Sequence, residues 1–201
     1  MAQFRRNDRG VVRVDGKIKY IIAGLGNPGG KYVYTRHNAG FLALDYISQK
    51  YGFKINKIKF KSLYAKYGQS VFLKPQTYMN NSGESVSEAM RFYKIPPENI
   101  LVISDDAGLP AGKLRIRKNG SDGGQKGLRS IINHLSTEGF PRIKIGVGEK
   151  PHADYDMADW VLSEFSKEEQ QIMFETFAKV YECADMFIKD EPVEKIQNKY
   201  N

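Results

Sequence analysis

Apolar positions along this chain recur with two periods, and the two periods alternate. Ile18 to Ala23 is a short, almost unbroken apolar run, the signature of a buried strand. Phe41, Leu44, Ile47 and Tyr51 then fall three or four residues apart, as one face of a helix does, with Asn38 as its N-cap and Gly52 as its C-terminal stop. Strands are predicted over Lys57–Lys66 and Ser70–Lys74, around a turn at Gly68. Ser82 is the expected cap of a second helix with Val86, Ala89, Met90 and Tyr93 in one stripe, ended by Pro96-Pro97. Ile100 to Ile103 reads as a buried strand running into the loop Ser104-Asp105-Asp106.

The second half continues the alternation. Lys113–Lys118 puts Leu114 and Ile116 on one side and Lys113, Arg115 and Arg117 on the other. Arg142–Val147 does the same, with Ile143, Ile145 and Val147 inward and Arg142 and Lys144 outward. Between them Leu128, Ile131, Ile132 and Leu135 mark a helix, and a long last helix covers roughly Lys167–Lys189 with Met173, Phe177, Val180, Ala184 and Phe187 inward. Strands alternating with helices predict one α/β domain over residues 17–190. Residues 1–16, polar and basic, read as a flexible extension, and residues 191–201 as a polar, fraying C-terminal tail.

Composition narrows the function classes. No run approaches the ~18–20 apolar residues of a membrane span, and the N-terminus has no apolar segment of a secretory signal. Cys183 is the single cysteine, which excludes an internal disulfide and a multi-cysteine metal centre; with only three histidines, no metal and no cofactor are expected. The expected compartment is the reducing cytoplasm. A net charge of +8 fits either a plain basic surface or a polyanionic partner such as nucleic acid, so its placement matters more than its size.

One motif misleads. Gly24-Leu25-Gly26-Asn27-Pro28-Gly29 matches the G-x-G-x-x-G of dinucleotide sites. Such a site needs a helix opening at the turn and an acidic residue ~20 positions on, at the end of a second strand. Here Pro28-Gly29-Gly30 and the β-prone Lys31–Thr35 follow instead, and the acidic candidate, Asp45, falls in mid-helix. There is no Gly-Lys-Ser/Thr either. A nicotinamide-dependent oxidoreductase is therefore disfavoured, and the loop is read as lifting side chains from a strand end.

Those side chains include His37. Three further polar clusters follow predicted strands or precede a helix: Lys74–Gly83 (KPQTYMNNSG), Ser104-Asp105-Asp106, and Gly120–Gly127 (GSDGGQKG). In open α/β sheets the carboxyl ends of strands form the functional crevice. His37, Asp105 and Asn80 at neighbouring strand exits supply a base, an orienting carboxylate and amide donors, a set suited to water attack on an activated carbonyl. An imidazole of ordinary pKa ~6.5 accepts a proton from water near neutrality, a carboxylate on its other nitrogen fixes the tautomer, and amides hold carbonyl or water. Ser82 and Ser104 are explained as a helix cap and a loop residue, Cys183 as a buried thiol, and His134 and His152 receive no catalytic role.

Four ordered stretches, GLGNPGGKYVYTRHNAG (24–40), KPQTYMNNSG (74–83), DDAGLPAGKLRIRKNGSDGGQKGLRSI (105–131) and FPRIKIGVG (140–148), closely resemble bacterial-type peptidyl-tRNA hydrolases over nearly the whole chain. The resemblance implies a twisted mixed β-sheet flanked by α-helices and hydrolysis of the ester joining a peptide to the 3′-terminal ribose of tRNA, by a monomer. By position it implies His37 as the base activating water, Asp105 as its stabiliser, Asn27 at the peptide near the scissile ester, and Asn80 holding substrate and water. Tyr32 and Tyr78 would line the site for the tRNA end. The related motif reads G-G-H-N-G where this chain has Gly123-Gly124-Gln125-Lys126-Gly127, so an amide is replaced by Lys126, a cation suited to a phosphate. Arg115, Arg117, Lys118, Lys126, Arg129, Arg142 and Lys144 are then expected to border the crevice and grip tRNA phosphates without reading sequence. The alternative is a non-catalytic RNA-binding protein on the same fold, like plastid splicing factors that resemble these hydrolases.

Overall fold

A computed structural model describes residues 5–6, 12–13 and 16–201. Most of the extension expected over 1–16 lies outside the described residues; within it Arg5–Arg6 (β1) pairs antiparallel with Val12–Arg13 (β2). The main sheet holds Tyr20–Gly24 (β3), Lys57–Lys59 (β4), Ser62–Tyr67 (β5), Ser70–Pro75 (β6), Ile100–Asp106 (β7), Leu114–Arg117 (β8) and Arg142–Gly146 (β9). Their order is β4-β5-β6-β3-β7-β9-β8. The four central strands are parallel, and β4, β5 and β8 join antiparallel at the edges, so the sheet is mixed.

The strand period then sorts the core into two layers. Tyr20, Ile22, Phe72, Ile103, Ile143 and Ile145 face Ala39–Tyr51 (α1) and Lys167–Ile188 (α5). Ile21, Ala23, Val71, Leu73 and Val102 face Ser82–Tyr93 (α2) and Lys126–Leu135 (α3). Ile21, Ile22 and Phe72 are wholly excluded from solvent, and each such side chain contributes about 1.5–3 kcal/mol through burial. A short helix, Met157–Leu162 (α4), precedes α5.

Several boundaries differ from expectation, each for a local reason. The predicted strand Lys57–Lys66 is broken at Phe60-Lys61, both at positive φ (55° and 50°), a two-residue hairpin turn between β4 and β5. Asn38 precedes α1 but makes no capping bond there, because its amide is used elsewhere. Ser82 lies inside α2 rather than capping it, its hydroxyl donating to the Met79 carbonyl. β7 continues through Asp106, so Asp105 belongs to a buried strand end rather than a loop. Residues 191–201, expected to fray, form Val193–Tyr200 (α6), with Ile196 in the core and Gln197 and Asn201 bonded to Ile116 of β8.

The glycine-rich turn has a packing purpose. A Cβ on Gly24 would come 2.3 Å from the Gly40 carbonyl oxygen, and one on Gly40 would come 2.4 Å from both the Leu25 nitrogen and the Ile103 oxygen. Without side chains at these positions the first turn of α1 lies directly on the ends of β3 and β7. That contact sets the residue before the helix, His37's turn, against the end of β7.

Candidate active site

Because β3, β6 and β7 are parallel, the loops leaving their C-terminal ends gather at one side of the sheet. They border a cleft of about 840 Å³ whose lining includes Asn27, His37, Tyr78, Asn80, Asp105 and Gln125. α4 adds an apolar wall of Met157, Val161 and Leu162.

His37 sits in a one-turn 3-10 helix, Arg36–Asn38. Its Nδ1 lies 2.8 Å from Asp105 Oδ2, and Asp105 is 2 % exposed. An ionised carboxylate only accepts, so Nδ1 carries the proton and Nε2 is left with its lone pair at the cleft. Asp105 Oδ1 accepts a second bond, 3.0 Å, from Gln125 Nε2. Gln125 is also the N-cap of α3, its Oε1 accepting from the Leu128 N–H at 2.7 Å.

Asn27 is held from both sides. Its N–H donates to Asn38 Oδ1 (2.8 Å) and its carbonyl accepts from Asn38 Nδ2 (3.0 Å), the work that keeps Asn38 from capping α1. Asn27 Oδ1 accepts from the Met79 N–H at 2.8 Å, so the amide nitrogen is the group left to donate into the cleft. Tyr78, in the loop after β6, is exposed and sits at φ 59°. A non-glycine residue there carries strain of order 1–3 kcal/mol, a cost that recurs at functional sites. Asn80, exposed, lies two residues on.

The residue beside His37 is locked in place. Arg36, 4 % exposed, donates bidentately to Glu169 (2.9 and 2.7 Å), to the Val147 carbonyl (2.7 Å) and to Ser163 Oγ (3.1 Å). Its guanidinium lies 3.7 Å from the centre of the Trp160 ring. Burial draws the Glu169 carboxyl upward, but the bonds from Arg36 and Ser166 outweigh it and hold it below the usual carboxylate range.

The basic residues divide. Lys126, the first residue of α3, is exposed and lines the cleft. A cation at a helix N-terminus opposes the helix dipole, so its position favours an incoming anion. Lys144 also lines the cleft, but it is largely buried and its Nζ lies 3.3 Å from Asp106 Oδ2 rather than outward in solvent. Arg142 is a correction: at 1 % exposure it donates to the carbonyls of Gly120, Ser121, Glu138 and Phe140, and it is not among the residues lining this cleft. Loops cover this sheet face, so the alternation that put Arg142 on the far side of β9 did not put it in water. Arg117 is exposed on edge strand β8, outside the cleft. Lys118 and Arg129 are paired with Glu194 and Asp122. Tyr32, half-buried beside Lys31, is also not among the residues lining the cleft.

The structure therefore brings together His37, Asp105, Asn27, Asn80, Tyr78, Lys126 and Lys144, and leaves Tyr32 and Arg117 apart. Gln125 was missed as a site residue: glutamine is not a favoured N-cap, and the one signal, that it stands where the related motif G-G-H-N-G has its histidine, was passed over for Lys126. Cys183 is buried, which with the nearby Glu182 charge pushes its thiol up to about 12, so it is not a nucleophile. The Ser104 hydroxyl is buried within β7.

Known proteins resemble this chain along most of its length. A family model described as peptidyl-tRNA hydrolase matches residues 21–201. A peptidyl-tRNA hydrolase of Caldicellulosiruptor saccharolyticus is 51 % identical over 164 residues, 80 % of this chain and 85 % of that protein. One of Lachnospira eligens is 49 % identical over 186 residues, 90 % of this chain and 99 % of that protein. Among solved structures, the peptidyl-tRNA hydrolase of Acinetobacter baumannii superposes with a TM-score of 0.82 at 33 % identity, covering 90 % of this chain and 94 % of that one.

Proposed function

The chain belongs to the peptidyl-tRNA hydrolase family and is an enzyme that hydrolyses peptidyl-tRNA, and from that premise we propose how its residues carry the reaction. His37 Nε2 takes a proton from a water in the cleft as that water attacks the ester carbonyl. The carbonyl oxygen gathers negative charge and accepts from the Asn27 amide nitrogen, while Asn80 holds the attacking water. Asp105, bonded to Nδ1, stabilises the imidazolium that forms. Collapse breaks the bond to the ribose 3′ oxygen, which takes the proton back from Nε2, leaving a free peptide acid and a free tRNA 3′-hydroxyl.

The observation that carries this reading is the 2.8 Å contact between His37 Nδ1 and Asp105 Oδ2, which leaves Nε2 basic at the cleft. Asn27, clamped by Asn38, would favour N-blocked substrates by bonding the peptide next to the ester. Tyr78 offers an aromatic face to the terminal nucleotide, and Lys126 and Lys144 supply cations for its phosphates. Arg117 would meet the acceptor stem further out. The enzyme is taken as a metal-independent monomer of the cytoplasm; among the described residues no helix is long and apolar enough to cross a membrane. Nothing in the comparisons favours the non-catalytic RNA-binding alternative.

The test is release of N-acetyl-aminoacyl groups from tRNA. His37→Ala is expected to lower kcat by roughly two to three powers of ten with the fold intact by circular dichroism. Full activity in that variant would end this mechanism, and inhibition by chelator would end its metal independence.

A further inference from the structure

Asp105 is a buried carboxylate with two oxygens, and His37 uses one. Its Oδ2 faces His37; its Oδ1 faces Gln125 Nε2 at 3.0 Å. Gln125 is only 9 % exposed, and every bond it makes argues for one orientation of its amide. Oε1 accepts from the Leu128 N–H, which can only donate, so Nε2 is the end that points to Asp105. The remaining polar contact of Nε2 is Met79 Sδ at 3.1 Å, and the Met79 N–H in turn holds Asn27 Oδ1.

We infer that Gln125 is a positioning residue for the hydrolytic reaction: anchored by the first turn of α3, its amide fixes the rotation of the Asp105 carboxylate and so the tautomer and aim of His37. The inference rests on the roles proposed above for His37 and Asp105. Rotation about the bond to a carboxylate carbon is soft, so one bond to His37 does not by itself fix the group, whereas two bonds on different oxygens do. A buried carboxylate also needs donors to offset its lost hydration, and among the described residues Gln125 is the side chain other than His37 that supplies one. The amide does not titrate, so the donor it offers Asp105 does not change with pH. The chain Asn27–Met79–Gln125–Asp105–His37 further makes the carbonyl-holding amide and the base parts of one frame.

Two variants separate this role from simple helix capping. Gln125→Ala removes donor and cap together. Gln125→Glu keeps the cap, since a carboxylate accepts from the Leu128 N–H and suits a helix N-terminus, but when ionised it sets a like charge against Asp105. The charged or titratable groups lining the same cleft are His37, Tyr78, Asp105, Asp106, Lys126, Lys144 and Asp156, and Asp122 and Arg129 bond to the Gln125 backbone. None of them is changed in either variant.

Gln125→Ala is expected to lower kcat about tenfold with little change in KM. Gln125→Glu is expected to lower kcat as well and to move the acid limb of kcat/KM upward by about half a pH unit or more, because added negative charge favours protonated His37. Both effects, in variants folded by circular dichroism, support the inference. Loss in Gln125→Ala with a parental profile in Gln125→Glu assigns the residue to the helix cap alone and overturns it. A change in Gln125→Glu alone reports only the added charge and overturns it equally, as do two parental profiles. His37→Ala run beside them keeps the two readings distinct: if it stays active the base assignment fails, whereas an inactive His37→Ala beside parental Gln125 variants leaves that assignment standing and removes only the role of Gln125.

Discussion

Arg36 and His37 are neighbours in sequence and opposites in environment. The guanidinium of Arg36 is closed in on every side, by Glu169, Ser163, the Val147 carbonyl and the Trp160 ring. His37 is bonded on one nitrogen and open at the other. A cation with four of its five N–H groups bonded is a fastener. An imidazole with one nitrogen held and one at a cleft is a tool. The short 3-10 turn that contains both lets the first brace the second, tying the loop after β3 to the start of α5 on the far side of the cleft wall.

Breaking each side of this pair should have different signatures. The largest effect is expected from Asp105→Asn. With Gln125 fixed as a donor, the new amide would turn its oxygen to Gln125 and its nitrogen to His37, forcing the imidazole proton onto Nε2. The base would be lost while the fold stays, with kcat down roughly a thousandfold and the melting temperature little changed. Arg36→Leu should do the reverse. It strands Glu169 and removes a buried ion pair, costing about 3 kcal/mol of stability by chemical denaturation, and kcat measured well below the melting point should fall less than in Asp105→Asn.

The pH dependence of stability offers a finer probe of the clamp. The Glu169 carboxyl is held below its ordinary value in the folded chain, so its contribution is complete above the unfolded value of ~4.3 and is lost as pH falls through the lower folded value. Melting curves from about pH 6 to about pH 3 should show that loss, and Glu169→Gln should flatten the slope in this window. The smallest effect is expected at Arg117. Arg117→Ala should weaken tRNA binding a few-fold and lower the slope of log affinity against log salt by about one. An unchanged slope would remove Arg117 from the tRNA surface.

How much of this was readable beforehand depended on the kind of signal. Period-2 alternation placed β8 and β9, and the 3.6 period placed α1, α2 and α5, because burial of one face is a repeating demand. His37, Asp105, Asn27 and Asn80 were readable because each lies in or beside a loop after a parallel strand, where the fold collects polar groups. Alternation names a side of a strand, not its surroundings, and so misplaced Arg142, whose side is roofed by the loops at 120–121 and 138–140. Asn38 and Ser82 stand where caps belong, but tertiary partners claimed the Asn38 amide and a nearby carbonyl took the Ser82 hydroxyl. Gln125 stands at the histidine of the related motif but was passed over, because its contact with Asp105 comes only from the packing of α3. In α6 the spacing of Val193, Ile196 and Tyr200 was present, but eight residues are too few for a period to stand out from a polar tail.

The helix α6 has one more consequence, for how this protein behaves in a crowd. β8 is an outer strand, and an outer strand with free N–H and C=O groups invites the strand of another molecule. At Ile116 both groups are already taken, the N–H by Asn201 Oδ1 and the carbonyl by the Gln197 and Asn201 amides. The opposite edge, β4, is three residues long and carries Lys57 and Lys59, whose charges repel a like edge. The sheet thus resists edge-to-edge pairing at Ile116 through α6 and at β4 through its short length and its charge.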